Sequence, residues 1–222
     1  MRVLVMTAVA AESDAVLRGL RGDSRFDVLL AGVGPIAAAA HTAAILATTK
    51  YDLVVSMGIA GGFIGQAAIG TIVVATECVA AELGAETPDG FLSLEELGFG
   101  FSRIGVDAAL AEQVTEAFRS AGLAVSMGPI LTVSTATGTA STALALAERV
   151  PGAVAEAMEG FGIANAAHNH GIPVLEIRTI SNSIGPRDRE AWRIKDALDA
   201  LETASSTLSS STLSSSTQSS FE

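Results

Sequence analysis

Cysteine is nearly absent from the sequence, since Cys78 is the only one among 222 residues. A single thiol cannot form an internal disulfide, which excludes a disulfide-stapled secreted fold and indicates a reducing compartment, so we expect a cytoplasmic protein. No cysteine or histidine lies at a metal-ligand spacing from Cys78. His168 and His170, two positions apart, would not share one face of a helix. We therefore expect no metal site.

Basic residues are also scarce, with 13 Lys and Arg against 24 Asp and Glu and a formal net charge of −11. Their main cluster lies in 187–195, and the field of such a chain would repel a polyanion, so nucleic acid is not an expected partner. No apolar run is long enough to cross a bilayer, so a membrane is not expected either. The start MRVLVMTAVAA imitates a signal peptide, yet Val3 to Met6 favours a buried first strand.

Aromatic residues make up only 5% of a chain that is 49% hydrophobic, a balance typical of helices packed on a sheet. Ala-rich segments with helical spacing (36–49, 107–120, 141–149 and 160–169) separate most of six aliphatic runs: RVLVMT (2–7), FDVLLA (26–31), DLVVSM (52–57), TIVVAT (71–76), GPILTV (128–133) and VLEIRTI (174–180). Near-continuous apolar strands that alternate with helices predict an α/β fold with a largely parallel sheet covered on both faces.

Two segments fall outside this alternation. Residues 85–103 contain Pro, Gly and several Phe and Leu, and they predict a long excursion that shapes a pocket or an interface. From Ser205 the sequence becomes SSTLSSSTLSSSTQSSFE, which offers little to bury, so we expect a disordered or frayed tail. The predicted organisation is one domain over 1–203 and a Ser/Thr-rich tail over 204–222.

Ligands in α/β folds bind where the strands end, which directs attention to the residues after each run. SMGIAGGF (56–63) places three glycines after a strand, and a structural turn and a ligand cradle are equally consistent with it. For AGVGPIAA (31–38) a tight packing turn is favoured. Glu12 and Glu159 each open a predicted helix, where an acid is favoured by the helix dipole; the alternatives are a general base at Glu12 and a ligand for a vicinal diol at Glu159.

Five motifs together resemble a known superfamily. An early AxxxE, GVGPIAAA, SMGIAGGF, AMEGFGIA and IRTISN occur in the order and spacing of the purine nucleoside phosphorylase and nucleosidase superfamily, and are most similar to its methylthioadenosine/S-adenosylhomocysteine nucleosidase branch. The resemblance extends to about Lys195. It implies a three-layer nucleoside-phosphorylase-like fold with a mixed, largely parallel sheet flanked by helices, and a homodimer or larger homo-oligomer. Within the superfamily, SNSIGPRDREAW and TVSTATGT look most like the futalosine hydrolase family, which cleaves futalosine to hypoxanthine and dehypoxanthine futalosine in menaquinone biosynthesis.

The resemblance also implies roles for single residues at the sugar. The acid that activates the attacking water falls on Glu12. Met158 lines the ribose site, and Glu159 grips the 2′ and 3′ hydroxyls. Ser56 and Gly58 fall at the positions nearest ribose and water.

The base site is implied by the same resemblance. The stretch Ser134 to Thr137 falls where the family stacks and hydrogen-bonds the purine, which makes Thr135, Ala136 and Thr137 candidate binding residues. Ala136 replaces an aromatic residue that is often found there, so Phe161 or Phe63 is expected to supply the stacking contact.

Asn182 separates this sequence from the adenine-cleaving branch, which carries aspartate at that place. A 6-oxopurine presents an acceptor at its exocyclic atom, and an asparagine amide can donate to O6 or N7 where an ionised aspartate would oppose it. Asn182 therefore argues for hypoxanthine over adenine, although inosine or another 6-oxopurine nucleoside remains an alternative substrate.

The expected reaction is N-glycosidic hydrolysis without a cofactor, through an oxocarbenium-like sugar. Phosphorolysis would need several donors around a phosphate, and the first-strand loop TAVAAESD is acidic and lacks Arg, although Arg178 keeps that alternative open. Arg187 or Arg189 could meet the benzoate carboxylate of futalosine. The competing class is a purine-nucleoside-binding relative without turnover, against which the pair Glu12 and Glu159 argues.

Overall fold

The computed structural model describes residues 1–211 and contains ten strands and seven helices in that part of the chain. The strands are β1 (Val3–Thr7), β2 (Phe26–Leu30), β3 (Leu53–Gly62), β4 (Ile72–Ala80), β5 (Gly84–Thr87), β6 (Gly90–Ser93), β7 (Arg103–Gly105), β8 (Val125–Thr132), β9 (Ala155–Ala157) and β10 (Val174–Ser183). The helices are α1 (Ala10–Leu20), α2 (Pro35–Leu46), α3 (Leu94–Leu97), α4 (Ala108–Ser120), α5 (Ala140–Arg149), α6 (Gly160–Asn169) and α7 (Ile194–Ser210). Every predicted strand and helix is present.

The main sheet is mixed, with strand order β10-β4-β8-β9-β3-β1-β2 and with β7 paired to β4. The pairs β1–β2, β1–β3, β3–β10, β4–β8 and β8–β9 are parallel, whereas β3–β9, β4–β7 and β4–β10 are antiparallel. This confirms the largely parallel α/β fold. Because β10 pairs with both β4 and β3, five of the strands also close into a ring, which the sequence did not predict.

Apolar side chains of the sheet form the core. Every residue of β1 is buried, as the interpretation of Val3 to Met6 as a first strand requires. Helices α1 and α7 pack against each other, as do α2 and α6. A second, smaller apolar cluster around Phe63, Leu131 and Ile184 lies under α5.

The glycines of SMGIAGGF lie inside a strand, because β3 continues to Gly62 where the sequence predicted a turn or a loop. The prediction that β3 ends at Met57 was therefore wrong. Gly61 and Gly62 pair with β9 on one side and with the end of β10 on the other, so backbone hydrogen bonds on both edges hold this stretch extended.

The predicted tail boundary was wrong for residues 204–210. Helix α7 continues to Ser210, and Ala204, Ser205 and Leu208 are buried. The hydroxyl of Ser205 donates to the carbonyl of Leu201 at 2.8 Å, so the serine bonds within the helix and does not compete with it. The remaining predicted tail, 212–222, lies outside the described residues.

The excursion at 85–103 is confirmed as a feature separate from the core. Strands β5 and β6 form a two-stranded antiparallel sheet of their own, followed by α3 and by β7 at the edge of the main sheet. Over residues 1–211, no helix has both the length and the apolar character needed to cross a membrane.

Candidate active site

The ends of β1, β3, β9 and β10 meet around one cavity of about 230 Å³. It brings together seven of the residues that the sequence singled out, from segments far apart in the chain. They are Glu12, Ala136, Thr137, Met158, Glu159, Asn182 and Arg187.

Glu12 lies on the floor of the cavity, where β1 passes into α1. Its carboxylate accepts the N–H groups of Ala8 at 2.9 Å, Val9 at 3.3 Å and Ile59 at 2.9 Å, and the residue is only 4% exposed. The bond from Val9 is a helix-capping contact, so the structural and the catalytic interpretation apply to one side chain. Burial raises the pKa of Glu12, against the opposing charge of Arg178 and the backbone donors.

Glu159 faces Glu12 from the start of α6 and is 5% exposed. One of its oxygens accepts the N–H of Gly34 at 3.2 Å, and the other accepts that of Met158 at 3.3 Å. Gly34 has a φ of 90°, a conformation that favours glycine. The GVGP turn, which the sequence favoured as a packing turn, therefore also positions an acid of the site.

A buried guanidinium connects these acids. Arg178 on β10 is 1% exposed; it donates to Glu176 at 2.9 Å, to Ser56 at 3.0 Å and to Glu159 at 3.4 Å. Burial disfavours its charge, but the carboxylates of Glu176, Glu159 and Glu12 outweigh that cost and raise its pKa. The guanidinium is thus a fixed counter-ion for the carboxylates.

Ser56 and Gly58 do not line the cavity, which corrects the expectation that they lie next to the ribose and the water. Ser56 is fully buried and accepts a hydrogen bond from Arg178. A side chain on Gly58 would begin 2.5 Å from the carboxylate of Glu12 and 2.7 Å from the guanidinium of Arg178. Both residues act behind the site, by leaving room for the ion pair and by holding it.

Asn182 reaches the cavity through a bulge in β10. The pairing of β10 with β3 is regular to Ile180 and resumes at Asn182 opposite Gly61, so Ser181 is the extra residue. Such bulges re-aim side chains beside sites. The Oδ1 of Asn182 accepts from the Ser181 hydroxyl at 2.9 Å, and its Nδ2 donates to the carbonyl of Ser183 at 3.0 Å. The second N–H of the amide remains to serve as a donor.

The loop after β8 forms another wall of the cavity. Ala136 and Thr137 line it, whereas Thr135 is exposed and lies outside the lining. Glu156 on β9 holds this loop, because its carboxylate accepts the backbone N–H of Thr137 at 2.8 Å and the Thr137 hydroxyl as well.

Phe161 and Phe63 do not line the cavity, which corrects the expectation that one of them stacks on the base. Phe161 packs against Phe101, with ring centroids 6.4 Å apart, beside a different cavity of about 690 Å³. Phe63 is buried in the smaller apolar cluster. The aromatic side chain in the lining is that of Trp192.

The exposed segment after β10 lies at the cavity mouth. The guanidinium carbon of Arg187 lies 5.2 Å from the centre of the Trp192 ring, and the side-chain stem of Arg187 lies over Gly138. Arg187 is in the lining and Arg189 is not.

Sequence reasoning missed the parts that Glu156, Glu176 and Trp192 play around the site. The signal that was available is an acid in an apolar strand run, at AEAM for Glu156 and at VLEIR for Glu176. No such signal marks Trp192. Within residues 1–211, no group of three or more His, Cys, Asp or Glu side chains is arranged to hold a metal ion.

Comparison with known proteins identifies relatives along nearly the whole chain. The futalosine hydrolase of Streptomyces coelicolor is 49% identical over 94% of this chain and 95% of its own, and that of Acidothermus cellulolyticus is 49% identical over 92% and 89%. The futalosine hydrolase of Thermus thermophilus is 38% identical over 84% of this chain and 82% of its own.

Solved structures share the fold at low identity. The 5′-methylthioadenosine/S-adenosylhomocysteine nucleosidase of Neisseria meningitidis, in complex with methylthio-immucillin-A, has a TM-score of 0.80 at 21% identity and covers 94% of this chain and 99% of that one. The futalosine hydrolase of Helicobacter pylori has a TM-score of 0.82 at 15% identity, with coverages of 95% and 98%. A model of the Phosphorylase superfamily matches residues 12–214. The chain therefore belongs to the Phosphorylase superfamily and, within it, to the family of the bacterial futalosine hydrolases.

Proposed function

We propose that this chain is an N-glycosyl hydrolase that cleaves futalosine with water, releasing hypoxanthine and dehypoxanthine futalosine, as a step of menaquinone biosynthesis. The observation that carries the proposal is the 49% identity to the Streptomyces coelicolor futalosine hydrolase over nearly the full length of both chains. The cavity supports it, because two buried carboxylates and an amide converge there from separate strands.

Glu12 is the group that deprotonates the attacking water at C1′. Three backbone N–H groups fix its position, and burial raises its pKa, which makes the carboxylate a better base at neutral pH. The rigid floor around it favours a single geometry for the water. Such positioning converts a bimolecular attack into an oriented one.

Glu159 holds the ribose, beside Met158. Its Oε1 accepts the N–H of Gly34 and keeps one acceptor site for a hydroxyl, whereas its Oε2 accepts the N–H of Met158 and, at 3.4 Å, a donor of Arg178. A carboxylate that grips the 2′ and 3′ hydroxyls also places negative charge near the sugar as it becomes oxocarbenium-like, which favours the transition state.

Asn182 stabilises the departing hypoxanthine. Ser181 holds the Oδ1 of its amide, so the remaining N–H of Nδ2 can donate to O6 or N7 of the base. A neutral donor is a weak proton source, so the proton that the base acquires comes from water.

The burial and the hydrogen bonds of Arg178 favour hydrolysis over phosphorolysis. Arg178 is bonded to Glu176, Ser56 and Glu159, is 1% exposed and does not line the cavity, so it is not presented to a phosphate there. The first-strand loop contributes the carboxylate of Glu12, which would repel one.

Arg187 is the residue that we assign to the carboxylate of the substrate. It lies at the cavity mouth, is exposed, and carries the planar guanidinium that suits a bidentate contact. Arg187→Ala should raise the KM for futalosine severalfold and leave that for inosine, which lacks the carboxylate, unchanged. An unaltered KM for futalosine would end this assignment.

The test of the function is chromatographic detection of free base from futalosine, inosine and methylthioadenosine, each in phosphate-free buffer. Hypoxanthine from futalosine without phosphate is the expected result. A requirement for phosphate would indicate a phosphorylase, and adenine from methylthioadenosine would refute the role of Asn182. Binding of futalosine without release of base would indicate a relative without turnover.

We further propose that the enzyme acts in the cytoplasm as a homodimer or larger homo-oligomer. Buried, unpaired Cys78 is consistent with a reducing compartment. Exposed apolar side chains at Ile36 and Leu83, which line the cavity of about 690 Å³, are consistent with a covered face. Sedimentation of the protein at micromolar concentration tests the oligomeric state, and a monomer would refute the homo-oligomer.

A further inference from the structure

Glu156 is a buried carboxylate that the reaction scheme does not use. It is 8% exposed, lies between Ala155 and Ala157 in the short strand β9, and lines the cavity. Burial raises its pKa, and the hydrogen bonds from Thr137 oppose that shift. An acid in an otherwise apolar strand is costly to bury, so its persistence in the wall of a site calls for a chemical reason.

The sheet register places Glu156 opposite Asn182 across a gap. Gly61 on β3 pairs with Glu156 on β9 and with Asn182 on β10, so the three residues form one row across adjacent strands. Strand spacing puts the two outer backbones roughly 10 Å apart. A side chain on Gly61 would lie 2.8 Å from Ile184 and 3.3 Å from the amide of Asn182. The side chain of Ile184 thus lies over Gly61 and lines the same cavity as Glu156 and Asn182, and this part of the cavity is the gap between them.

The carboxylate of Glu156 is held in place and still has acceptor capacity. Thr137 donates its N–H to one oxygen and its hydroxyl to the other. Each carboxylate oxygen has two acceptor sites, so one remains on each. A fixed acceptor therefore lies on one side of the gap, and the N–H donor of Asn182 lies on the other.

The two purines differ in the pattern that such a pair would meet. Hypoxanthine presents acceptors at N7 and O6 and a donor at N1–H. Adenine presents an acceptor at N1 and a donor at its 6-amino group. N7 is an acceptor in both bases, so a donor at Asn182 distinguishes them at position 6, where it meets O6 of hypoxanthine and opposes the amino group of adenine. An acceptor at Glu156 meets the N1–H of hypoxanthine and opposes N1 of adenine, and a mismatch of buried polar groups is costly.

We propose that Glu156 accepts the N1–H of the base and so selects 6-oxopurines together with Asn182. This inference rests on the proposed function for its substrate. It extends that function, because it assigns the specificity to two facing residues on strands that flank β3.

The first test compares futalosine with its 6-amino analogue in wild type and Glu156→Gln. In the variant, the amide presents its oxygen to the N–H of Thr137, so its NH₂ group takes the place of the other oxygen. One of its N–H groups then meets the Thr137 hydroxyl, and the other faces the base. The ratio of kcat/KM for the two substrates should fall roughly 10- to 100-fold in the direction of the amino analogue. An equal loss on both substrates would mean that Glu156 only anchors the loop, and would overturn the proposal.

Glu82→Gln is the matched control. Glu82 accepts the N–H of Ser134 at 2.7 Å, so it holds the same loop by a carboxylate, but it lies outside the cavity. Its variant should leave the substrate ratio unchanged. The same shift in Glu82→Gln as in Glu156→Gln would assign the effect to the loop, and would overturn the proposal.

The second test needs no variant and no turnover. Calorimetric titration of the wild-type protein should show hypoxanthine binding at least ~10-fold more tightly than 1-methylhypoxanthine, which lacks the N1–H. Equal affinities would refute the contact. Failure of the proposed function would appear separately, as no base released from futalosine by a protein that still distinguishes the two bases.

Discussion

The two ends of the cavity differ in how deeply their functional side chains are buried and in which elements carry them. At the sugar end, Glu12, Glu159 and Arg178 are each at most 5% exposed and are held by backbone N–H groups and by one another. At the base end, Asn182 is half-buried at the end of β10, and Glu156 is the one buried group that we assign to the base; at the cavity mouth, Arg187 is exposed.

This difference follows from what each end must do. Charged groups that act on the bond need a low-dielectric, preorganised setting, since electrostatic interactions are stronger there and cost no rearrangement. Groups that identify the base need a defined donor and acceptor pattern, which can be changed without disturbing the core. We therefore expect substitutions at the sugar end to remove activity or stability, and those at the base end to change substrate preference.

The sharpest test of the sugar end is Glu12→Gln. An amide cannot deprotonate water, so kcat for hypoxanthine release should fall roughly 10²- to 10⁴-fold. The measurement is single-turnover release of base, with Asp14→Asn as control, because Asp14 is an exposed acid of the same helix. Full activity in Glu12→Gln would show that Glu12 is not the general base.

Arg178→Met tests whether the sugar end is also a structural unit. The change leaves Glu176, Glu159 and Glu12 buried without a counter-charge, so the free energy of unfolding should fall by about 3–5 kcal/mol. Urea denaturation measures it. Arg187→Met is the counterpart at the cavity mouth, where Arg187 is exposed, and its free energy of unfolding should stay within about 0.5 kcal/mol of wild type. An equal loss of unfolding free energy in the two variants would contradict the structural difference between Arg178 and Arg187.

Asn182→Asp tests the base end. The carboxylate would repel O6 of hypoxanthine and accept from a 6-amino group, so kcat/KM should shift toward adenine nucleosides by roughly 10-fold or more. Rates with futalosine and with its 6-amino analogue measure the shift. The melting temperature should not change, because Asn182 is only half-buried. Unchanged preference would place base selection elsewhere.

The smallest effect concerns pH. Burial raises the pKa of Glu176, although Arg178 and Cys78 oppose it, so the folded state binds this proton more tightly than the unfolded state does. The stability that the proton contributes is complete below the unfolded pKa, near 4.5, and is lost as pH rises through the folded value. Glu176→Gln mimics the protonated form, so its stability relative to wild type should increase from pH 4.5 to 7.

Glu95 provides the opposite sign in the same experiment. Burial raises its pKa, but the hydrogen bonds from the backbone and hydroxyl of Ser102, with those from its own backbone and from Ser93, together outweigh burial and hold the pKa at about 2. Its contribution to stability is present above the unfolded pKa and is lost as pH falls. Glu95→Gln should therefore lose stability relative to wild type as pH rises. A slope of the same sign in the two variants would contradict one of the two assignments.

The sequence predicted the secondary structure well where local pattern and tertiary role agree. All six aliphatic runs became strands; in β1 every residue of VLVMT is buried in the sheet, whereas the edge strand β2 buries only Phe26 fully. Prediction failed at Gly58 and Gly61, where local preference indicates a turn but pairing on both edges keeps β3 extended. Prediction failed again at Ser205. The side chains of Leu201 and Leu208 are buried on the inner side of α7, and the hydroxyl of Ser205 donates to a carbonyl within that helix.

The sequence by itself was enough to predict the α/β class and to single out Glu12 and Glu159 as candidate site residues. It also shows asparagine at position 182, where the adenine-cleaving branch has aspartate. Only the tertiary structure decided that Arg178 neutralises those acids, that Phe161 lies outside the site, and that Glu156 faces Asn182. The physical reason is that a residue's type and its neighbours in sequence set its chemistry and local conformation. Distance between β9 and β10 is set instead by the pairing of both with β3, a contact between segments far apart in the chain.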